Sequence, residues 1–311
     1  MSNYIVKRIA MTLPLLLVIS FLTFVLNHLS PMDPAEVVLH AQGVPVLTEE
    51  LIAETRVKLG MDRPLLIQYA DWLLASLQLD FGHSFVTGMP VWSLLGPAFL
   101  HTVKLTLVSS LLIMLMSIGL GIVCALRSGR WLDLSVRSVS FLLSSMPAYW
   151  LAALLVWFLA VRLDLLPTSG MNGVDSYILP VTVIVAGYAG IYFRLIRSSM
   201  LSHMNEDYVL YGRACGLPES KITMSILRNS MQVAVSVFGM AIPVILGSTV
   251  VVENVFAWPG LGTLTVKSIL SRDFPMIQAY VLLLAVAFVL FNTASDVINA
   301  LLNPKMRKEL R

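Results

Sequence analysis

Charge is what this chain has least of. Asp, Glu, Lys and Arg make up 13% of its 311 residues, against roughly 25% in a soluble domain. That deficit excludes an ordinary water-soluble fold, and a net charge of +3 is too small to point to nucleic acid. Cysteine is scarce: Cys124 and Cys215 are the only two, so there is no disulfide framework. No glycine is followed by lysine, which excludes a phosphate-cradling P-loop of the usual kind. There is no His-Glu-x-x-His, and no Ser-His-Asp arrangement can be picked out. The five histidines, His28, His40, His83, His101 and His203, show no metal-ligand spacing, and a loose outer metal site among His28, His40, His83 and His101 is the alternative reading. The chain therefore reads as a non-catalytic protein with no metal or other bound cofactor of its own.

What the chain has in quantity is apolar sequence, 57% of its residues, arranged in long runs. Residues 9–29 form an uncharged run of about twenty residues, enough at about 1.5 Å per residue to cross a hydrocarbon core of about 30 Å. Lys7 and Arg8 precede it, as in a signal peptide. The run is longer than a signal's apolar core and lacks a small-residue cleavage site, so it reads as a retained helix. Further runs at 103–126, 136–161, 178–196, 231–252 and 277–302 give six predicted spans in all. Helices satisfy their own backbone polar groups inside lipid, and none of these runs alternates as barrel strands do. The expectation is an all-α integral membrane protein.

Lys and Arg set the orientation. With the N-terminus inside, the inner segments carry about twice as many as the outer ones. Arg127, Arg130, Arg137, Arg194, Arg197 and Arg213 fall inside, and so do Lys305, Arg307, Lys308 and Arg311. Both termini are expected in the cytoplasm. The chain then divides into residues 1–30, holding the N-terminus and the first span, an outer loop at 31–102, and a core at 103–311. In the outer loop, 48–59 reads as a short helix capped by Thr48 and ended by Gly60. Residues 64–79 read as a second helix opened by Pro64, with Trp72 and Leu73 on the membrane surface or packed on the spans.

Between the fourth and fifth spans lies the polar segment YVLYGRACGLPESKITMSILRN, residues 208–229. Residues 205–213 read as a helix with Asn205 as its cap and Glu206 and Asp207 in its first turn. Gly216 suits a left-handed turn, and Leu217-Pro218-Glu219 opens the next helix. By itself such a segment is also an ordinary hairpin between spans. After the fifth span, FAWPGLG (256–262) reads either as a sharply turned gate segment or as an interfacial turn anchored by Trp258. Glu253, just before it, is either a contact for incoming cargo or its carrier, or a solvated charge. Tyr188, Tyr192, Ser248, Thr249 and Asn292 are polar positions within spans, lining a pathway or bonding between helices. Asp296, the one acid deep in the sixth span, is expected to pair with Arg194 or Arg197, with a proton-relay role as the alternative.

Five landmarks in order resemble the first permease subunit of the dipeptide, oligopeptide and nickel importers of the ATP-binding-cassette class. They are YIVKRIAMTLPLLLVISFLTF from Tyr4, LGMDRPLLIQYADWL with LDFGHSF from Leu59, and SMPAYWLA from Ser145. RACGLPESKITMSILRN from Arg213 and VVENVFAWPGLGTL with RDFPMIQAYVLL from Val251 complete the set. The resemblance covers nearly the whole chain. It departs from the general pattern in having Leu210, Tyr211 and Gly212 where most such permeases begin Glu-Ala-Ala, and Arg228-Asn229 where they end Leu-Pro.

The resemblance implies a type I importer permease fold of six spans, with 205–229 as the loop that couples to an ATPase. The contact residues it implies are Asn205, Glu206, Asp207, Tyr208, Tyr211, Arg213, Ala214, Gly216, Leu217, Ile226, Arg228 and Asn229. Phe256, Trp258, Pro259 and Gly260, with Glu253, would form an external gate or meet the binding protein. Its partners would be a second homologous permease, two ATPase subunits using ATP and magnesium, an extracytoplasmic binding protein and the bilayer of a bacterial inner membrane. LHAQGVP (39–45) and NEDYVLYGRA (205–214) look closest to permeases for metals chelated by opine metallophores of the staphylopine kind. A short peptide is the alternative cargo. A secondary transporter or channel working without an ATPase is the alternative class.

Overall fold

The computed structural model describes residues 2–30 and 33–302, with side chains described outside 2–11, 232–233, 235–237, 240 and 298–302. The inner charges predicted at 305–311 lie outside the described residues. Helices run α1 (Ser2–His28), α2 (Pro34–Ala41), α3 (Glu49–Lys58), α4 (Leu65–Ser76), α5 (Val91–Leu126), α6 (Trp131–Ser145) and α7 (Ala148–Leu155). A π-helical turn, Val156–Arg162, then leads to α8 (Asp175–Met204), α9 (Asp207–Ala214), α10 (Glu219–Val255), α11 (Leu261–Leu270) and α12 (Phe274–Leu302). Among the described residues there is no strand, only an isolated bridge between His83 and Pro90.

Three of these helices, α5, α8 and α12, are long and apolar enough to cross a membrane among the described residues. The run predicted as one span at 136–161 is broken. Trp131–Ser145 and Ala148–Arg162 meet at 104°. Pro147 is the cause: it donates no hydrogen bond and pushes the residue before it out of the helical region. Met146 accordingly sits at φ −81°, ψ 135°. Counted as one, this bent pair makes a fourth span, and Thr12–His28, Ala241–Val255 and Leu261–Leu270 are shorter apolar helices.

The chain divides into two compact units, Val103–Trp258 with the chain from Leu290, and Ser2–Thr102 with Pro259–Val289. In the first, α8 is the spine. Its Leu179, Val181, Ile184 and Val185 are buried with Ile245 and Ala241 of α10 and with Leu151 and Ala152 of α7. Gly190 lets α6 close on α8: a Cβ there would stand 2.8 Å from the Ser140 carbonyl oxygen.

In the second unit, α4 packs on α1 through aromatic rings. Tyr69 meets Phe21 and Phe24 edge-on, and Trp72 lies 6.2 Å from Phe24. Trp72 thus packs on the first predicted span. The Thr48 cap is formed, its hydroxyl accepting from the Leu51 N–H at 3.3 Å, and Gly60 ends the helix at φ +70°. The sequence reading missed α2, whose Asp33 accepts from the Ala35 N–H at 2.9 Å. A buried carboxylate, Asp273, accepts from the Ser84 hydroxyl at 2.5 Å and the Phe85 N–H at 3.0 Å, fixing the 83–90 loop to the start of α12.

Candidate coupling site at residues 205–229

α9 is eight residues long, too short to persist alone in water. Neighbours hold it in place. Its Val209 is 2% exposed and packs with Ile222 and Ile226 of α10, Met200 of α8 and Ala125 of α5. Burying one such side chain contributes about 1.5–3 kcal/mol. The turn after α9 is a Schellman motif: the Leu217 N–H donates to the Gly212 carbonyl and the Gly216 N–H to the Arg213 carbonyl, both at 3.0 Å. Gly216 occupies the left-handed position at φ +70°, where an L side chain is disfavoured. Pro218 then caps α10 in an extended conformation and Glu219 starts it. Arg213 Nε donates to Glu219 Oε1 at 2.9 Å across the turn. This pair is exposed and contributes at most about 1 kcal/mol.

The helix starts later than the sequence reading placed it. Asn205 does not cap α9. It ends α8, its Nδ2 donating to the Leu201 carbonyl at 3.3 Å, and Glu206 takes the cap position without a side-chain bond. The other assigned residues separate into two roles. Ile226 is buried in the anchor. Glu206, Asp207, Tyr208, Tyr211, Arg213, Ala214, Gly216, Leu217 and Arg228 are exposed, and Asn229 is half-buried. Tyr211 and Leu210 are each 72% exposed and Leu217 is 47% exposed, so an apolar and aromatic face stands free of the anchor. α10 continues from this turn without a break for 37 residues, about 55 Å at 1.5 Å per residue. It includes Pro243, which leaves the Gly239 carbonyl without its usual intrahelical donor.

A second support was invisible in the sequence. Arg197 of α8 donates to both oxygens of Asp133 at the start of α6, each at 2.7 Å, and to the Ser128 hydroxyl at 3.2 Å. The Gly129 N–H also donates to Asp133 at 3.0 Å. These hydrogen bonds offset the cost of burying the Asp133 carboxylate. Arg197 is thus committed to Asp133, so of the two partners expected for Asp296 it is not Arg197 that is available. This ion pair fixes the end of α8 that carries Met200, and so the floor on which α9 rests.

Of the gate residues, Trp258 and Glu253 differ from their surface readings. Trp258 is fully buried, its ring 4.6 Å from Tyr177 and edge-on, so it is no interfacial anchor. Glu253 is also fully buried, not a solvated charge. Both belong to the end of α10, where the Trp258 N–H donates to the Glu253 carbonyl at 2.8 Å around Ala257 at φ +46°. Phe256 is buried, and its carbonyl accepts from the Gly170 N–H. Pro259 is exposed, while Gly260 is buried and extended at the start of α11. Ser248 and Thr249 donate to carbonyls of their own helix. Tyr192 packs on Phe238 at 5.2 Å, while Tyr188 and Asn292 are half-buried. Tyr188 and Tyr192 pack against the same buried cluster of the first unit.

α9 is thus packed on one face and exposed on the other, and a fixed turn joins it to a long helix. Residues 117–308 match the model of the binding-protein-dependent transport system inner membrane component, and residues 1–106 match that family's N-terminal membrane component. The chain belongs to this family and is a membrane-embedded importer permease. It is 54% identical over its full length to the full length of the metal-staphylopine import system permease protein CntB of Staphylococcus aureus (strain NCTC 8325 / PS 47). It is 38% identical, over 99% of each chain, to the glutathione transport system permease protein GsiC of Salmonella typhimurium (strain LT2). Its fold is similar to that of the MetNI methionine ABC transporter in an inward-facing conformation, with a TM-score of 0.55 at 17% identity. That match covers 68% of this chain and 96% of the other.

Proposed function

We propose that this chain is one of two homologous permeases that together enclose the route of an ATP-driven importer. It crosses the membrane six times with both termini in the cytoplasm, and 31–102 forms an outer helical loop. Two ATPase subunits, using ATP and magnesium, dock on α9, and an external binding protein delivers the cargo. The observation that carries the reading is α9 itself, anchored through Val209 while Tyr208, Tyr211 and Leu217 stand exposed. When the ATPases close, they displace α9. Because Val209 packs on Ile222 and Ile226, that displacement moves the start of α10, and the unbroken helix carries it to Val255.

The cargo is a transition metal chelated by an opine metallophore of the staphylopine kind, supported by the identity of 54% to a metal-staphylopine permease. A short peptide is the second reading, supported by the glutathione permeases at 38% identity. Cysteine crosslinking tests the docking. In a Cys215→Ser background, Tyr211→Cys is expected to crosslink to the ATPase subunit with short bifunctional reagents, and Ile226→Cys is not. Equal crosslinking from both positions would contradict the assignment.

A further inference from the structure

The second unit contains a cavity of about 390 Å³ walled by Phe24, Trp72, Phe81 and Phe274, with His28 and His83 both in its lining. That volume falls within the range of small-molecule sites, roughly 300–1,000 Å³. Neither histidine has a role in the coupling account. His28 is exposed and its ring stacks on Phe24 with centroids 4.9 Å apart. Its Nε2 lies 3.1 Å from Gln68 Oε1. The Gln68 amide has a fixed orientation, because its Nε2 donates to the Arg63 carbonyl at 2.8 Å and the Met61 carbonyl at 3.2 Å. Oε1 can only accept, so His28 Nε2 is the donor. In the neutral ring the lone pair is therefore on Nδ1. An imidazole whose second nitrogen is tied to an oxygen acceptor, with tautomer and ring plane both set, is how proteins prepare a histidine to ligate a metal.

His83 sits on an equally fixed support. It is bridged to Pro90, and the next residue, Ser84, is held by Asp273. Gly82 on its other side donates to Asp80 Oδ1 at 3.0 Å and accepts from the Val91 N–H at 2.9 Å. Among the described residues no group of three or more His, Cys, Asp and Glu is placed to hold a metal ion. Two imidazoles fall short of the four ligands a bare tetrahedral ion takes. The remaining donors must arrive with the ion.

We propose that His28 Nδ1 and His83 bind the metal of an incoming chelate, a divalent transition-metal ion with open coordination positions, as a receiving site for cargo before it enters the route. This rests on the metal-chelate reading of the cargo above. The probe is cobalt(II)–staphylopine, titrated into the assembled importer in lipid nanodiscs without its binding protein. The proposal expects a saturable change in the cobalt absorption bands, lost in His28→Phe and His83→Phe, which keep a ring but remove the nitrogens. Gln68→Leu, which frees the His28 tautomer, should weaken binding about tenfold. In cells, the double Phe variant should raise the KM for cobalt–staphylopine uptake with Vmax retained. If deleting the gene leaves metallophore-dependent uptake intact, the cargo reading fails. If deletion abolishes uptake but the double variant matches wild type in both KM and spectrum, the receiving site alone is overturned. Equal binding of free cobalt would overturn the requirement for a chelate.

Discussion

Replacing Gly216 separates two ways in which the turn after α9 could matter. A Cβ added there meets nothing within 4 Å, so bulk as such is not excluded. The backbone is the constraint: φ is +70°, and a left-handed L residue costs about 1–2 kcal/mol, least for Asn. Against this stand the burial of Val209, about 1.5–3 kcal/mol, and the exposed Arg213–Glu219 pair, at most about 1 kcal/mol. The penalty is comparable to what holds α9 down. About 1.4 kcal/mol already changes the ratio of docked to undocked α9 tenfold. The expected order of coupling, measured as cargo transported per ATP hydrolysed in proteoliposomes, is Gly, then Asn, then Ala, then Val. Size alone would put Ala ahead of Asn. A result with Asn worse than Ala, or with Val indistinguishable from wild type, would refute the argument that the left-handed turn orients α9.

Asp133→Ala leaves Arg197, whose side chain is 16% exposed, without its buried partner, and should cost roughly 3 kcal/mol of stability, read as a lowered Tm in detergent. Gly239→Ala places a Cβ 2.1 Å from Ser295 Oγ and 2.8 Å from Ser295 Cβ, and should lower Tm through separation of α10 from α12. Ser295→Gly should restore it. Ala257→Gly relieves a left-handed alanine at the end of α10 and should raise stability by about 1 kcal/mol, seen as a higher Tm with uptake unchanged.

The helices legible in the sequence were those with local causes. Thr48 and Gly60 mark the two ends of α3, and Gly216 and Pro218 mark the turn into α10, because caps and left-handed positions depend on a few neighbouring residues. The break at Pro147 was equally local but was overridden by the apolar run around it, since hydropathy averages over a proline that geometry does not. The α9 start was misplaced because Asn205 serves the preceding helix, and both helices compete for the same polar residues. Nothing local pairs Arg197 with Asp133, 64 positions apart in sequence, or brings His28 into one cavity with His83. Those contacts come from tertiary packing. Glu253 and Trp258 carried the usual surface signals of a charge and an aromatic, and packing at the end of α10 buried both.

The most direct measurement is uptake of radioactive nickel by cells with and without this gene, in the presence or absence of an opine metallophore, with excess dipeptide as competitor. The account predicts that uptake requires both the gene and the metallophore and is unaffected by dipeptide. Nickel uptake unchanged in the deletion, together with lost growth on peptides, would contradict it.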